Sequence, residues 1–484
     1  MSSENICKSR FCPSPTGLMH LGNLRTALFN VLLAKQYESQ NHQGTFLLRI
    51  EDTDNTRSQQ EFTTALLQDL RWLDLYWQEG PESSGESGPY FQSQRLEIYQ
   101  QYYSQLLDQK QAYWCFCTDA ELAVARKSQI NAGLPPRYAG TCRHLRPEQI
   151  EAKRAKGLKP ALRFLVPDNE VVKFEDFIQG SRLFAADDIG DFIIQKADNS
   201  SSFMFCNAVD DALMGVTHVM RGDDHLTNTP RQLMILKALG LRKPEYGHMP
   251  MIFGHDGKPL SKRNGSQSIE DLRSQGYFPA AIINYLSRLG HHFDNDKLLS
   301  LSELGQNFNL KHIGHSPARF DLAQLNHWQK EAVMAMSEAT LWEWMEPAVR
   351  DLVSSDQAAL FSQTIKQNIL FPQEAKGWAD CLLGENIVRE EAAVDAIERC
   401  GPDNLKVIAQ AIEAEGENYV GVQSMVSQST NLKGKTLFMP LRAIFTGRLF
   451  GPELAKIFLL MGKTRLLQRV REAEQLFLKM ELKN

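Results

Sequence analysis

Near the amino terminus, "PSPTGLMHLGN" (residues 13–23) sets a rigid Pro-Ser-Pro-Thr-Gly turn, a histidine and a second glycine directly before an apolar run. A turn of this kind between a strand and a helix suits an anion, because the unsatisfied amides of a helix start point at it. The stretch matches neither G-x-x-x-x-G-K-[ST] nor G-x-G-x-x-G, so a phosphate held here is met by His20 and not by a P-loop lysine. Far downstream, "GHDGKPLSKRNGS" (254–266) is a glycine-rich turn carrying Lys258, Ser261, Lys262 and Arg263. Such a loop can fold over a polyphosphate and add positive charge where negative charge builds up. Standing alone, it also reads as a solvated surface loop.

A third group consists of "YWCFC" with Cys115 and Cys117, and "TCRH" with Cys142 and His144, separated by 24 residues. Two close pairs joined by a loop suit tetrahedral zinc, each pair supplying one edge of the site. Four protein ligands leave no open position for water, so the expected role is structural. The alternative is four unrelated residues in a segment rich in aromatics. Cys7, Cys12, Cys206, Cys381 and Cys400 read as small apolar residues of the core.

These residues need a scaffold. "KSRFCPSPTG" reads as a strand running into a turn, and "NLRTALFNVLLAKQYES" spaces Leu24, Ala27, Leu28 and Leu32 for one helical face. "GTFLLRIED" is the next strand, giving the strand–helix–strand order of a parallel α/β sheet. "EGPESSGESGP" (79–89) is a break, followed by what reads as an insertion containing the cysteines. "DFIIQKADNSSSFMFCNAVDDALMGVTHVMRGDDHL" returns to strand-like runs. From about Glu331 the pattern is almost wholly helical; in "GPELAKIFLLMGK" Leu454, Ile457, Phe458 and Met461 share a face that Gly462 ends.

Bulk properties bound the answer. A chain of 484 residues exceeds one ordinary core, which calls for roughly two to five domains. With 43% hydrophobic and 23% charged residues it has globular composition. No apolar run reaches the roughly 18 residues of a membrane span, and MSSENICKSR lacks the apolar core of a secretory signal. A cytoplasmic protein without membrane partners is expected, and eight scattered cysteines fit a reducing compartment better than a disulfide framework. The net charge of -5 does not exclude a nucleic-acid partner, because binding depends on a local basic face.

Taken together and in order, "RFCPSPTGLMHLGNLRTALFN", "LRIEDTD", "VDDALMGVTHVMRGDDHLTNTPRQ", "KPLSKRNGS" and "SPARFD" resemble the bacterial glutamyl-tRNA synthetases, which are class I aminoacyl-tRNA synthetases. "LFMPLRAIFTGRLFGPEL" resembles the family's carboxy-terminal domain, so the likeness covers essentially the whole chain. It implies an α/β Rossmann-type catalytic domain with an inserted acceptor-binding domain, followed by an all-α anticodon-binding region. The expected division is 1–90 and 201–255 for the two Rossmann halves, 91–200 for the insertion with its zinc site, 256–330 for a stem-contact region, and 331–484 for the helical domain.

The implied activity is glutamate–tRNA ligation with ATP and Mg²⁺, the partners being L-glutamate and tRNA(Glu), with tRNA(Gln) as an alternative acceptor. A monomer is the family's usual form. His20-Leu21-Gly22-Asn23 stands for the "HIGH" signature and Pro259 to Arg263 for "KMSKS". The resemblance thus gives His20 and Lys262 as catalytic residues, with Gly22, Asn23, Ser261 and Arg263 also at ATP. It maps Arg10 and Arg221 to the carboxylates of glutamate, Glu51 to its ammonium, and Ser14, Asn207 and Phe203 to its surroundings. Three positions depart from the pattern: Asn23 at the last place of the first signature, Pro259 at the first lysine of the second, and Phe203 where a tyrosine is common. Two rivals remain: a non-discriminating or tRNA(Gln)-directed glutamylating enzyme, and a catalytically weak tRNA-binding paralogue.

Overall fold

The computed structural model describes residues 5–53, 59–83, 85–260 and 267–481. The chain divides into two compact units, Met1–Arg273 with Ile282–Gln324, and Ser274–Ala281 with Leu325–Asn484.

The first unit opens with β1 (Ile6–Phe11), α1 (Leu21–Ser39), β2 (Gln43–Leu48), α2 (Gln60–Trp72) and α3 (Leu96–Asp108). It continues through β3 (Ala112–Cys115), α4 (Asp119–Asn131), α5 (Pro147–Ala155), β4 (Ala161–Phe164), β5 (Val171–Asp176), β6 (Gly180–Ala185) and α6 (Ala186–Ile189). Then come β7 (Phe192–Gln195), α7 (Phe203–Leu213), β8 (His218–Gly222), α8 (Thr229–Leu239) and β9 (Glu245–Met249).

β1 and β2 pair in parallel, with α1 as the crossover the sequence pattern predicts. Leu24, Ala27, Leu28 and Leu32 are all buried, but so are Leu21, Phe29, Val31 and Leu33. α1 is therefore covered well beyond one face. The reason lies downstream: Phe308 packs edge-on against Phe29, and Gly305 meets Lys35, so a second layer closes over the helix.

A second parallel pair, β8 and β9, is joined by α8. It meets β1 where the Thr217 amide donates to the Lys8 carbonyl at 2.9 Å, and α1 where Asn30 Nδ2 donates to the Met220 carbonyl at 2.9 Å. The hairpin β5–β6 belongs to this layer too, since Asp176 of β5 pairs with Tyr246 of β9 in the order β6-β5-β9-β8. β3, β4 and β7 form a separate antiparallel sheet that carries the first two cysteines of the cluster at its edge.

The second unit has helices and no strand among its described residues, around a core that includes Leu341, Phe361, Trp378, Ile408, Phe445 and Phe458. Leu454, Ile457, Phe458 and Met461 are buried together. At Gly462 the backbone leaves the helical region (φ 70°, ψ 157°) and then resumes a helix, so the expected stop is a break between two helices.

Candidate active site

The turn after β1 delivers His20 to the N-cap of α1, where its backbone is extended (φ -117°, ψ 168°). Its Nδ1 accepts from the amides of Gly22 at 3.2 Å and Asn23 at 3.4 Å. The imidazole thus fills the capping role usual for Ser or Asp. With Nδ1 accepting, a neutral ring carries its proton on Nε2, so His20 is a fixed hydrogen-bond donor at the start of a helix. A Cβ on Gly22 would lie 3.1 Å from the His20 ring. A side chain at 22 would therefore press on the capping histidine two residues earlier.

Ser261, Lys262 and Arg263 lie outside the described residues. Both flanks of their segment converge on the same place. Upstream, Leu260 donates to the Ile252 carbonyl at 2.8 Å, and Pro259 and Leu260 line the cleft that His20 lines. Downstream, Ser268 pairs antiparallel with His20 and Ile269 donates to the Met19 carbonyl at 2.9 Å.

That cleft has a volume of about 460 Å³. Arg10, Ser14, His20, Gly22, Asn23, Glu51, Phe203, Asn207 and Arg221 all border it. β1 carries Arg10. The chain after β2 is drawn alongside by the Arg49 amide on the Phe11 carbonyl and the Glu51 amide on the Pro13 carbonyl, both at 3.0 Å. α7 brings Phe203 and Asn207, and β8 brings Arg221.

Beneath the cleft is a network of buried charges. Arg49 contacts Asp211 at 2.8 Å and Glu51 at 3.5 Å, Arg95 contacts Asp210 at 2.7 Å, and Arg10 contacts Asp211 at 3.4 Å. Burial raises the Asp211 carboxyl, but Arg10 and Arg49 outweigh it and hold the group below its usual range. Burial pushes Glu51 up to about 7, against the pull of Arg49 and Arg10; Asn207 Nδ2 donates to it.

Arg221 is treated differently. Its N–H groups go to neutral acceptors: Thr229 Oγ1 at 2.8 Å, Gln232 Oε1 at 2.7 Å and His248 Nε2 at 3.2 Å. Burial, helped by Arg10, lowers it to about 10. A buried guanidinium with no carboxylate partner among the described residues, beside a second guanidinium, is suited to receive an anion. On the far wall, Phe203 packs on His225 with ring centroids 5.3 Å apart. Burial lowers His225 to about 4, so that ring is neutral near pH 7.

The cysteine cluster is assembled only in part as expected. The sulfurs of Cys115, Cys117 and Cys142 all lie within 4.8 Å of one another, an arrangement that fits a thiolate-bound metal. His144 is not with them: it is exposed, on the turn after Cys142. The hydroxyl of Tyr138 is there instead, 3.4 Å from Cys115 Sγ and 3.5 Å from Cys117 Sγ, and it accepts the Cys142 amide at 2.9 Å. Of the four residues the spacing selected, His144 thus stands apart from the three sulfurs. Within the turn over residues 141–144, Cys142 is buried and His144 exposed, although they are two apart in sequence.

Sequence reasoning did not single out Arg49, Asp210, Asp211, Gln232, His248 or Asp176. One signal was available: "FLLRIED" and "CNAVDDAL" each set charges inside an apolar run, a pattern that demands buried partners.

Comparison with known proteins agrees with this geometry. Residues 7–327 match the family model described as tRNA synthetases class I (E and Q), catalytic domain, and residues 341–474 match an anticodon binding domain. A protein named glutamate–tRNA ligase 2 from Nitrosococcus oceani is 50% identical over 469 residues, covering 97% of this chain and 98% of that one. Glutamate–tRNA ligase 1 from Coxiella burnetii is also 50% identical, covering 97% and 100%. Among solved structures, a glutamate tRNA ligase from Elizabethkingia meningosepticum in complex with its amino acid superposes with a TM-score of 0.87 at 25% identity, covering 97% and 99% of the two chains. No described helix is long and apolar enough to cross a membrane. The chain belongs to the class I aminoacyl-tRNA synthetases of the glutamyl and glutaminyl type.

Proposed function

We propose that this chain is a glutamate–tRNA ligase that activates L-glutamate with ATP and transfers it to the 3′ end of tRNA(Glu). One observation carries the choice of amino acid: Arg10 and Arg221 line one cleft with the buried acid Glu51, a charge pattern complementary to a molecule with two carboxylates and one ammonium. An oxygen of glutamate's α-carboxylate attacks the α-phosphorus of Mg²⁺-bound ATP, the bond to the β-phosphate oxygen breaks, and pyrophosphate leaves. The terminal ribose hydroxyl of tRNA then attacks the acyl carbon, and AMP leaves.

His20, capping α1, donates to the phosphates, with Gly22 and Asn23 beside it. Lys262 neutralises charge in the transition state, flanked by Ser261 and Arg263; the position of Leu260 and Ser268 at the cleft and the His20 turn supports this. Arg10 and Arg221 bind the carboxylates, Glu51 the ammonium, and Ser14, Asn207 and Phe203 complete the pocket. Cys115, Cys117 and Cys142 hold one structural Zn²⁺, with the Tyr138 oxygen closest to the fourth position. The insertion they brace receives the acceptor stem, and the helical unit reads the anticodon. The protein works as a cytoplasmic monomer.

The test is glutamate-dependent ATP–pyrophosphate exchange with tRNA present, together with charging of purified tRNA(Glu) and tRNA(Gln) by labelled glutamate. Exchange and charging of tRNA(Glu) are expected. Failure of both would refute the reading, and charging of tRNA(Gln) as well would widen the acceptor range.

A further inference from the structure

Arg221 is oriented in the cleft without a carboxylate among the described residues, and the manner of its orientation has a visible origin. His248 on β9 accepts from Arg221 Nε at 3.2 Å and lies 3.0 Å from the Thr229 hydroxyl, both through Nε2. It can accept there only while its proton sits on Nδ1. Nδ1 faces Asp176 Oδ2 at 2.5 Å, and both side chains are completely buried. The other oxygen, Oδ1, takes the backbone amides of Ile178 at 2.9 Å, Gln179 at 2.8 Å and His248 at 3.2 Å. Asp176 is therefore a fully engaged carboxylate that can hold one tautomer of the histidine.

We infer that Asp176 and His248 are positioning residues for amino-acid binding: Asp176 fixes the Nδ1–H tautomer of His248, whose Nε2 then aims the Arg221 guanidinium at the substrate carboxylate. The inference rests on the proposal that Arg221 binds a carboxylate of glutamate. Its physical logic is the distance of the negative charge. A carboxylate placed directly on Arg221 would orient it and also neutralise it, leaving less attraction for the substrate. Interposing an imidazole keeps the orientation and leaves the guanidinium Nη1 without a partner among the described residues. The contrast with Arg10, paired directly to Asp211, divides labour between the two arginines. The arrangement also gives the β5–β6 hairpin a task, since Asp176 is its last β5 residue and its tie to the sheet beneath the cleft.

Asp176→Asn tests this with little change of shape. Asn keeps Oδ1 for the three backbone amides but turns an NH₂ toward His248 Nδ1. That favours the Nε2–H tautomer and sets donor against donor at Arg221. The KM for glutamate should rise about ten-fold or more, with the KM for ATP changed by less than about two-fold. The ¹⁵N spectrum of labelled histidine should show His248 moving from Nδ1–H to Nε2–H. A glutamate KM within about two-fold of wild type, or a His248 still protonated on Nδ1, overturns the inference.

If that variant does not fold, His248→Gln and His248→Asn make the comparison. Glutamine can place an acceptor near the Nε2 position and should largely preserve the glutamate KM, whereas the shorter asparagine should raise it about ten-fold. Equal values for the two would refute the idea. A wild-type protein without glutamate-dependent exchange would instead refute the proposed function, and the His248 spectrum would still decide the tautomer.

Discussion

Ser268 pairs antiparallel with His20, so the chain that follows the Ser-Lys-Arg segment runs directly beside the imidazole that caps α1. Leu260, just ahead of that segment, lines the same cleft. Both described flanks of the segment are thus anchored at the cleft and its His20 turn. Lys262→Ala should lower glutamate-dependent pyrophosphate exchange by about 10²–10³-fold, the loss typical of one well-placed charge-stabilising donor. Glutamate binding, measured separately by calorimetry, should be nearly unchanged. Exchange at close to the wild-type rate would remove Lys262 from the mechanism.

Glu51 makes the ligand-free protein sensitive to pH. Burial lifts its carboxyl from 4.5 to about 7. Between those values the folded chain holds a proton that the unfolded chain has released, so this group's contribution to stability falls as pH rises through the window. Glu51→Gln removes the penalty. Relative to wild type, the variant should gain stability progressively from about pH 4.5 to about 7 and then level off. Chemical denaturation across that range measures it, and curves that stay parallel would contradict the assignment. Glutamate binding should be lost in the same variant, because the ammonium then has no counter-charge.

Phe203 opens α7 at the cleft and packs on neutral His225. Phe203→Tyr adds a hydroxyl to this wall of the cleft. A single neutral hydrogen bond contributes about 0.5–1.5 kcal/mol, so the KM for glutamate should fall by about two- to ten-fold, with kcat little altered. An increase in KM would mean that His225 has claimed the space the hydroxyl needs.

How much of this was legible beforehand depended on whether partners were near in sequence. The βαβ start and the helical carboxy-terminal unit follow from local periodicity, and both were readable. The full burial of α1 was not, because Phe308 and Gly305, which cover it, come from a distant stretch. The cleft residues were named through whole motifs, whereas their supports were hidden. Nothing local ties Asp176 to His248, or Arg49 to Asp211. Gly462 shows the limit of a punctuation signal: it breaks the helix as its type predicts, but the chain resumes a second helix beyond it.

The cysteine cluster gives the sharpest case, since three of the four residues that the spacing selected meet and His144 lies apart. Cys117 and Cys142 sulfurs lie 3.7 Å apart and Tyr138 reaches Cys115 and Cys117, while His144 is exposed. One zinc per chain is expected by elemental analysis of protein purified without chelator. His144→Ala should leave that stoichiometry intact, whereas Cys142→Ser should abolish it, because a hydroxyl binds zinc far less well than a thiolate. Chelation should act on the wild type as Cys142→Ser does, loosening the β3–β4–β7 insertion while leaving the parallel sheet folded, since the cysteines close a loop only within the insertion. Hydrogen exchange resolves the two regions separately. Loss of metal from His144→Ala with retention in Cys142→Ser would make the histidine the ligand and the third cysteine a bystander.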